Sequence, residues 1–291
     1  MTAIAPAPNR SRAGARALNV AYLLTVVTIV LLIVVSAGGA LASSRLYRDK
    51  PLITATLRGQ DWVTLLVAVP LLTVGLILER RGSLRGRLLW LGMLYYAMYN
   101  YLFYAVGAAF NGFFLLYVAI FGLAGYASLI AVLRINFEPS AATMGGRTAR
   151  GMAIGYLLLV ATGLGLLWTG ISLSFLVTGV VPAPIVASGH PTGVVFAIDL
   201  VFIVPPMVIG AVGLIRRRAL GWILAATMSV NGAVYTLSLS AASASVQQAG
   251  VGTGEELPIW AALTVLGATT SCLVLLRTPR PHLTRDAAGA P

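Results

Sequence analysis

One carboxylate, Asp199, lies inside a long apolar stretch of the chain. An ionised carboxylate in hydrocarbon costs about 2.5–3.5 kcal/mol on insertion scales, so it has to be protonated, paired or reached by water. Pro205 and Pro206 follow closely, and because proline has no backbone N–H, the carbonyls of Val201 and Phe202 lose their helical partners. A carboxylate beside freed carbonyls is suited to binding a proton or a small cation.

Two Asn–Tyr pairs with helical spacing supply further polar groups. Asn100 and Tyr104, and likewise Asn231 and Tyr235, are four residues apart, so each pair lies on one helical face. The two stretches are expected to run in the same direction and to bring these residues to the depth of Asp199. We therefore predict a binding site formed by Asp199 and both pairs. The structural alternative is that the asparagines and tyrosines only hydrogen-bond neighbouring helices together.

The elements that must hold these residues are long and apolar. Of the 291 residues, 58% are apolar and 10% are charged, whereas a soluble domain carries about 25% charged residues. A bilayer span needs roughly 20 apolar residues, and we count eight such runs with no alternation of period two. The sequence therefore predicts an all-α, polytopic membrane helix bundle with eight transmembrane helices in a lipid bilayer.

The predicted helices form two groups of four. The predicted order along the chain is a cytoplasmic tail at 1–17, helices one to four at 18–133, a cytoplasmic loop at 134–151, helices five to eight at 152–276 and a cytoplasmic tail at 277–291. The second run is taken to begin at Trp62. This choice leaves Asp61 in an external loop of about 19 residues and makes Asp199 the only charged residue within a predicted span.

The placement of basic residues predicts the orientation. The formal net charge is +12, and sixteen of the twenty Lys and Arg residues fall in alternate connecting segments, with four in the others. By the positive-inside rule, both termini are cytoplasmic and the protein lies in the inner cell membrane. The basic residues form no stripe interleaved with aromatic residues and no nucleic-acid-binding motif, so we expect no nucleic acid among its partners.

The two halves of the chain share an order of features. A proline (Pro70 or Pro206) precedes a basic turn by ten residues, and a tryptophan (Trp90 or Trp222) and an Asn-x-x-x-Tyr pair follow. This order favours a parallel four-plus-four internal repeat. Chance similarity is the alternative, because apolar helices joined by basic turns resemble one another by composition alone.

The sequence gives the class of protein more clearly than its chemistry. A single cysteine, Cys272, excludes an intrachain disulfide, and two histidines exclude a multi-histidine metal centre. Nucleotide-binding, nucleophile-elbow and zinc-protease motifs are absent, and no cofactor is identified. We predict binding or transport of a small solute or a proton with Asp199 as the protonatable group. The alternatives are an intramembrane enzyme acting on a lipid or polyprenyl substrate, and a non-catalytic membrane subunit or sensor.

Overall fold

Every regular element is a helix in the part of the chain that the computed structural model describes, residues 8–134 and 146–278. A π-helical turn at Thr64–Ala68 joins the second helix to the third. The α-helices are α1 (Pro8–Leu46), α2 (Pro51–Val63), α3 (Val69–Arg80), α4 (Leu84–Val106), α5 (Phe114–Leu133), α6 (Arg147–Thr178), α7 (Ala183–Ser188), α8 (Val194–Phe202), α9 (Val204–Ile215), α10 (Ala219–Gln248) and α11 (Leu257–Arg277).

Seven helical segments of the described chain are long and apolar enough to cross a membrane, so the protein is a multi-pass membrane protein. They are Arg16–Leu46, Pro51–Arg80, Phe114–Leu133, Arg147–Thr178, Val194–Ile215, Ala219–Gln248 and Leu257–Arg277. The 23-residue helix α4 is not among them, because five tyrosines and Asn100 lower its mean hydropathy. Over half of the α4 residues are buried by the other helices.

Successive long helices alternate in direction. The α1–α2 link lies beside the α4–α5 turn, where the Ala109 N–H donates to Asp49 at 2.8 Å; we call this the Asp49 end. At the other end, Arg85 near the start of α4 donates to the Leu276 carbonyl near the end of α11 at 2.7 Å; we call this the Arg85 end. The alternation follows from the short connections, because a few residues can join only antiparallel neighbours.

The long helix α10 occupies the centre of the bundle. It packs against α2, α4, α9 and α11, and 72% of its most apolar window is buried. Small residues allow these close approaches: Gly59 of α2 lies against the Ala241 backbone, and Gly213 of α9 lies against Gly221 of α10. By contrast, only 17% of the corresponding α6 window is buried, which places α6 at the periphery.

Prolines mark two of the interruptions of the described membrane helices, whereas a third, the kink at Ala42 in α1, has no proline. Pro205 and Pro206 separate α8 from α9 at Ile203, and the Phe202 carbonyl accepts a hydrogen bond from the Tyr95 hydroxyl instead of a backbone N–H. The expected loss of a helical partner at Phe202 is therefore confirmed. The π-helical turn lies just before Pro70, which has no backbone N–H to donate. The wider turn, with one extra residue, accommodates this missing hydrogen bond without ending the helix.

The predicted boundary of the second helix is wrong. The helix begins at Pro51 rather than Trp62, so the link from α1 contains only residues 47–50. Pro51 occupies a first-turn position, where the missing N–H has no cost, and the helix then continues through Asp61. The statement that Asp199 is the only charged residue within a span is therefore also wrong, because both Asp61 and Glu79 lie in the Pro51–Arg80 segment.

Two other predicted features have a definite outcome. The fifth predicted helix ends at Thr178, where Gly179 takes a left-handed backbone conformation with φ 68° that suits glycine. The third ends at Val106 rather than Ala109. The outer parts of both predicted tails (1–7 and 279–291) and most of the 134–151 loop lie outside the described residues.

Candidate functional site

Asp199 lies on the buried face of α8, between α4 and α6, and is 4% exposed. The Tyr99 hydroxyl donates to its Oδ1, and the Trp168 indole Nε1 donates to its Oδ2 at 2.8 Å. The Trp168 ring stacks on Phe196, which lies one turn before Asp199 on α8, with ring centroids 4.2 Å apart. The Tyr99 ring makes an edge contact with Tyr235, with centroids 4.8 Å apart. We call these five residues the Asp199 cluster.

The donors around Asp199 are both neutral. Among the described residues, no basic side chain hydrogen-bonds or pairs with this carboxylate. An indole N–H can only donate, whereas a phenol hydroxyl can donate or accept. Ionised Asp199 accepts from both groups, and Asp199 protonated at Oδ1 donates to Tyr99 while Trp168 still donates to Oδ2. Both protonation states therefore fit the same positions of the heavy atoms.

Asp61 forms the centre of a second cluster and is fully buried. The Tyr47 hydroxyl donates to its Oδ2 at 2.5 Å, and the Tyr104 hydroxyl donates to its Oδ1 at 3.1 Å. The Tyr104 ring stacks on Tyr101 at 5.0 Å and meets Tyr117 edge-on at 5.3 Å. We call these five residues the Asp61 cluster; as at Asp199, the donors to the carboxylate are neutral.

Helix α1 closes the Asp61 cluster at Gly39. A Cβ atom at this position would overlap the Asp61 carboxylate and the Tyr47 hydroxyl. Neither group can move away freely, because each is held by the hydrogen bond between them. Glycine is therefore the residue that lets α1 approach this closely.

An open cleft of about 350 Å³ lies at the Asp49 end, between the end of α1, the start of α2 and the end of α10. Its lining includes Tyr47, Asp49, Arg58 and Ser245. Tyr47 therefore belongs to both the cleft and the Asp61 cluster. Asp199, around which we predicted the binding site, is not among the residues that line this cleft.

Two cleft residues in the α1–α2 link have shifted pKa values. Burial raises the pKa of the Asp49 carboxyl, against the opposing effects of the Ala109 N–H and of His190. Burial, followed by the neighbouring Asp61 carboxylate, raises the pKa of Tyr47 above that of a free phenol. Tyr47 is therefore neutral and available as a hydrogen-bond donor.

Helix α4 presents tyrosines to both clusters. Tyr99 and Tyr104 are five residues apart, which is about 140° around the helix, so they reach carboxylates on different sides of α4. Tyr96 contacts a third set of groups: its hydroxyl lies 3.0 Å from Ser238 of α10 and 2.8 Å from Thr64 of the π-helical turn. The tyrosine-rich segment thus fills the centre of the bundle with paired hydroxyl groups.

The five predicted site residues divide between different surroundings. Asp199 and Tyr235 both contact Tyr99, whereas Tyr104 hydrogen-bonds to Asp61 instead. Asn100 and Asn231 are buried and do not hydrogen-bond to Asp199. Within the described chain, both amide atoms of Asn100 and the amide oxygen of Asn231 have no hydrogen-bond partner.

The sequence reasoning missed both donors to Asp199 and, apart from Tyr104, the residues of the Asp61 cluster. Tyr99 is one of several adjacent aromatic residues, and Trp168 lies near an uncertain helix end, so neither has a distinctive signal. A signal did exist for Asp61. Pro51 is a helix-start residue, and Arg58 is the only charged residue between it and Asp61, which is consistent with a helix that begins at Pro51.

The chain was also compared with protein-family models, with curated proteins and with solved structures, and none of these comparisons found a match. Its function is therefore inferred from side chains and their geometry.

Proposed function

We propose that this multi-pass membrane protein binds or transports a small solute and that Asp199 takes up and releases a proton in that process. The observation that carries the proposal is the buried Asp199 carboxyl held by two neutral donors, Tyr99 and Trp168. No basic partner offsets its charge within the described residues, so the ionised form is costly in the low-dielectric interior. Protonation relieves this cost, and the two donors accommodate it.

The broken helix supports a role that involves movement. Asp199 is carried by the nine-residue helix α8, which is separated from α9 at Ile203. The Tyr95–Phe202 hydrogen bond holds the break together without a continuous backbone ladder. A short helix hinged at a proline break can tilt at lower cost than an uninterrupted one, and its tilt would move the carboxylate relative to Trp168.

We assign the solute-binding role to the remaining predicted residues, Asn100, Asn231 and Tyr235, with Tyr104 at the edge of the site. Buried polar atoms without partners are uncommon in folded proteins, and water or a ligand is a usual explanation. Asn100 and Asn231 carry such atoms on α4 and α10, which pack against each other. A small polar solute would satisfy them.

We further propose an eight-span arrangement with α4 as the eighth span, both termini in the cytoplasm, and a four-plus-four repeat. In each half, neighbouring long helices contact one another in chain order and the fourth contacts the first: α1 with α5, and α6 with α11. Single cysteines placed at the Asp49 end in a Cys272→Ala background should react with an impermeant thiol reagent from outside intact cells. Reaction only after lysis would reverse the proposed orientation.

Infrared difference spectroscopy during a pH titration of the purified chain tests the proton-binding role. Asp199→Asn should remove a carboxylic C=O band, and Glu255→Gln, a matched acid-to-amide change at an exposed position, should leave that band in place. Asp199→Glu should retain a band at a shifted frequency. If the bands of Asp199→Asn equal those of the wild type at every pH, Asp199 does not take up the proton.

A further inference from the structure

We infer that Asp61 is a second proton-binding site, loaded from the cleft at the Asp49 end through the hydroxyl group of Tyr47. The inference extends the proposed function, because it also uses a carboxylate within the membrane. Apart from Tyr104, it depends on different residues, on the other side of α4, and no step in it requires Asp199.

The first support is the set of groups that face Asp61. They are Tyr47 from the α1–α2 link, Tyr96, Tyr101 and Tyr104 from α4, and Tyr117 from α5, and within the described chain no basic side chain hydrogen-bonds or ion-pairs with Asp61. A fully buried carboxylate that lacks a cation is far more stable when it is protonated. Each of the two bonded phenols can reverse its role from donor to acceptor, so the protonated form fits without rearrangement.

The second support is that Tyr47 borders both the cleft and the carboxylate. Tyr47 lines the cleft, and its hydroxyl is 2.5 Å from Asp61 Oδ2. A proton from water in the cleft bonds to the Tyr47 oxygen while the original O–H bond breaks and its proton passes to Oδ2. The phenol remains neutral, and the carboxylate becomes a carboxylic acid. In the reverse transfer, the Asp61 proton passes to the Tyr47 oxygen while the Tyr47 O–H bond that points to the cleft breaks and its proton passes to water.

The third support is the chemistry at the mouth of this path. Asp49 also lines the cleft, and its Oδ2 is buried without a hydrogen-bond partner among the described residues. Burial raises the pKa of this carboxyl, so it accepts protons more readily than an exposed aspartate. Arg58, on the same helix as Asp61, lines the cleft and is exposed at the surface, and among the described residues it forms no hydrogen bond or ion pair with Asp61. The path therefore begins at a proton-accepting group and ends at another.

Time-resolved infrared spectroscopy after a pH jump tests this path with the full-length chain in lipid nanodiscs. Asp61→Asn should remove one carboxylic band and leave the Asp199 band in place. Tyr47→Phe should keep the Asp61 band, shift its frequency because one hydrogen bond is lost, and slow its appearance tenfold or more. Tyr126→Phe, a change at an exposed tyrosine of α5, is the control and should alter neither the frequency nor the rate.

The outcomes separate this inference from the proposed function. If Asp61→Asn retains all bands while Asp199→Asn loses one, the Asp61 site is wrong and the Asp199 proposal stands; the reverse result rejects Asp199 alone. An unchanged rate in Tyr47→Phe overturns the path through Tyr47. If Asp61→Asn fails to fold, Tyr104→Phe gives the same information, because a band that shifts in neither tyrosine variant does not arise from Asp61.

Discussion

Asp61 is enclosed by tyrosines from the α1–α2 link, α4 and α5, whereas Asp199 is covered on one side by Trp168 of the peripheral helix α6. Both carboxylates accept hydrogen bonds from two neutral donors. Their frameworks differ: α2 is packed against α1 and the central helix α10, while Asp199 is carried by the short helix α8 beside a proline break. The same chemistry is therefore held in a tightly packed region and in a loosely packed one.

The difference predicts different routes to the two groups. The Asp61 cluster reaches an open cleft through Tyr47, so its exchange with water depends on one hydroxyl group. The Asp199 cluster has no residue in that cleft, and its access depends on movement of α8 or of the Trp168 ring. Rigid packing around Asp61 and a movable helix at Asp199 suit a protein in which two sites protonate independently.

The largest expected effect comes from adding a methyl group to one glycine near each carboxylate cluster and comparing the two changes in stability. Gly39→Ala places a Cβ atom on the Asp61 carboxylate and should lower the free energy of unfolding by about 3 kcal/mol, seen as a fall of several degrees in Tm. Gly165→Ala, one turn from Trp168, meets only Val204 at an ordinary contact distance of 3.8 Å, so it should leave Tm unchanged or raise it by a few degrees through the helical preference for alanine. Fluorescence-monitored melting in detergent micelles measures both.

Equal Tm values for the two variants would contradict the claim that the Asp61 region is the more tightly packed. Gly163→Ala is the control, because no atom lies within 4 Å of the added Cβ on the exposed surface of α6. It shows what the substitution does to the helix alone, where alanine is favoured over glycine by up to about 1 kcal/mol.

The sequence predicted the membrane helices well because the bilayer imposes a simple rule. A span has to be long, apolar and helical, and the long apolar runs meet that requirement without knowledge of their neighbours. The rule fails at Pro51–Asp61, where Arg58 and Asp61 interrupt the apolar run although the helix continues. A charged residue that is buried by other helices looks, in the sequence, like a residue of an exposed loop.

The partners of each carboxylate were not predictable from spacing. The predicted depths of the helices in the membrane led us to expect Tyr104 near Asp199. In the structure, the rotation of α4 about its axis turns Tyr99 towards Asp199 and Tyr104 towards Asp61. Helix rotation is set by contacts such as Gly92 of α4 against Val230 of α10, and these are tertiary properties. The proline break was predictable because the loss of a hydrogen-bond donor is a local property of the chain.

A smaller effect tests the mobility of the Asp199 side. Tyr95→Phe removes the hydrogen bond that holds the Phe202 carbonyl at the α8–α9 break and should cost about 1 kcal/mol. Hydrogen exchange measured by mass spectrometry should then be roughly fivefold faster in α8, with no change in α2. Tyr126→Phe is the matched control. Faster exchange in both helices, or in neither, would mean that the break is not an independent hinge.

The smallest effect concerns the mouth of the cleft next to Tyr47. Burial raises the folded-state pKa of Asp49 above its unfolded value, so the ionised form destabilises the folded chain as pH rises through the folded pKa. Asp49→Asn keeps an oxygen that accepts from the Ala109 N–H and carries no charge. The variant should therefore be more stable than the wild type at neutral pH, by less than about 1 kcal/mol because the site is partly exposed.

On acidification below the usual pKa of aspartate, this stability difference should disappear, because the wild-type carboxyl is then neutral in both the folded and the unfolded states. His190 opposes the shift, so the comparison should be repeated in a His190→Gln background, where the difference at neutral pH should grow. A stability difference that stayed constant with pH would assign the effect to packing. A stability difference that depends on pH would show that the Asp49 carboxyl, in the cleft beside the Asp61 cluster, binds a proton more readily than a solvent-exposed carboxylate does.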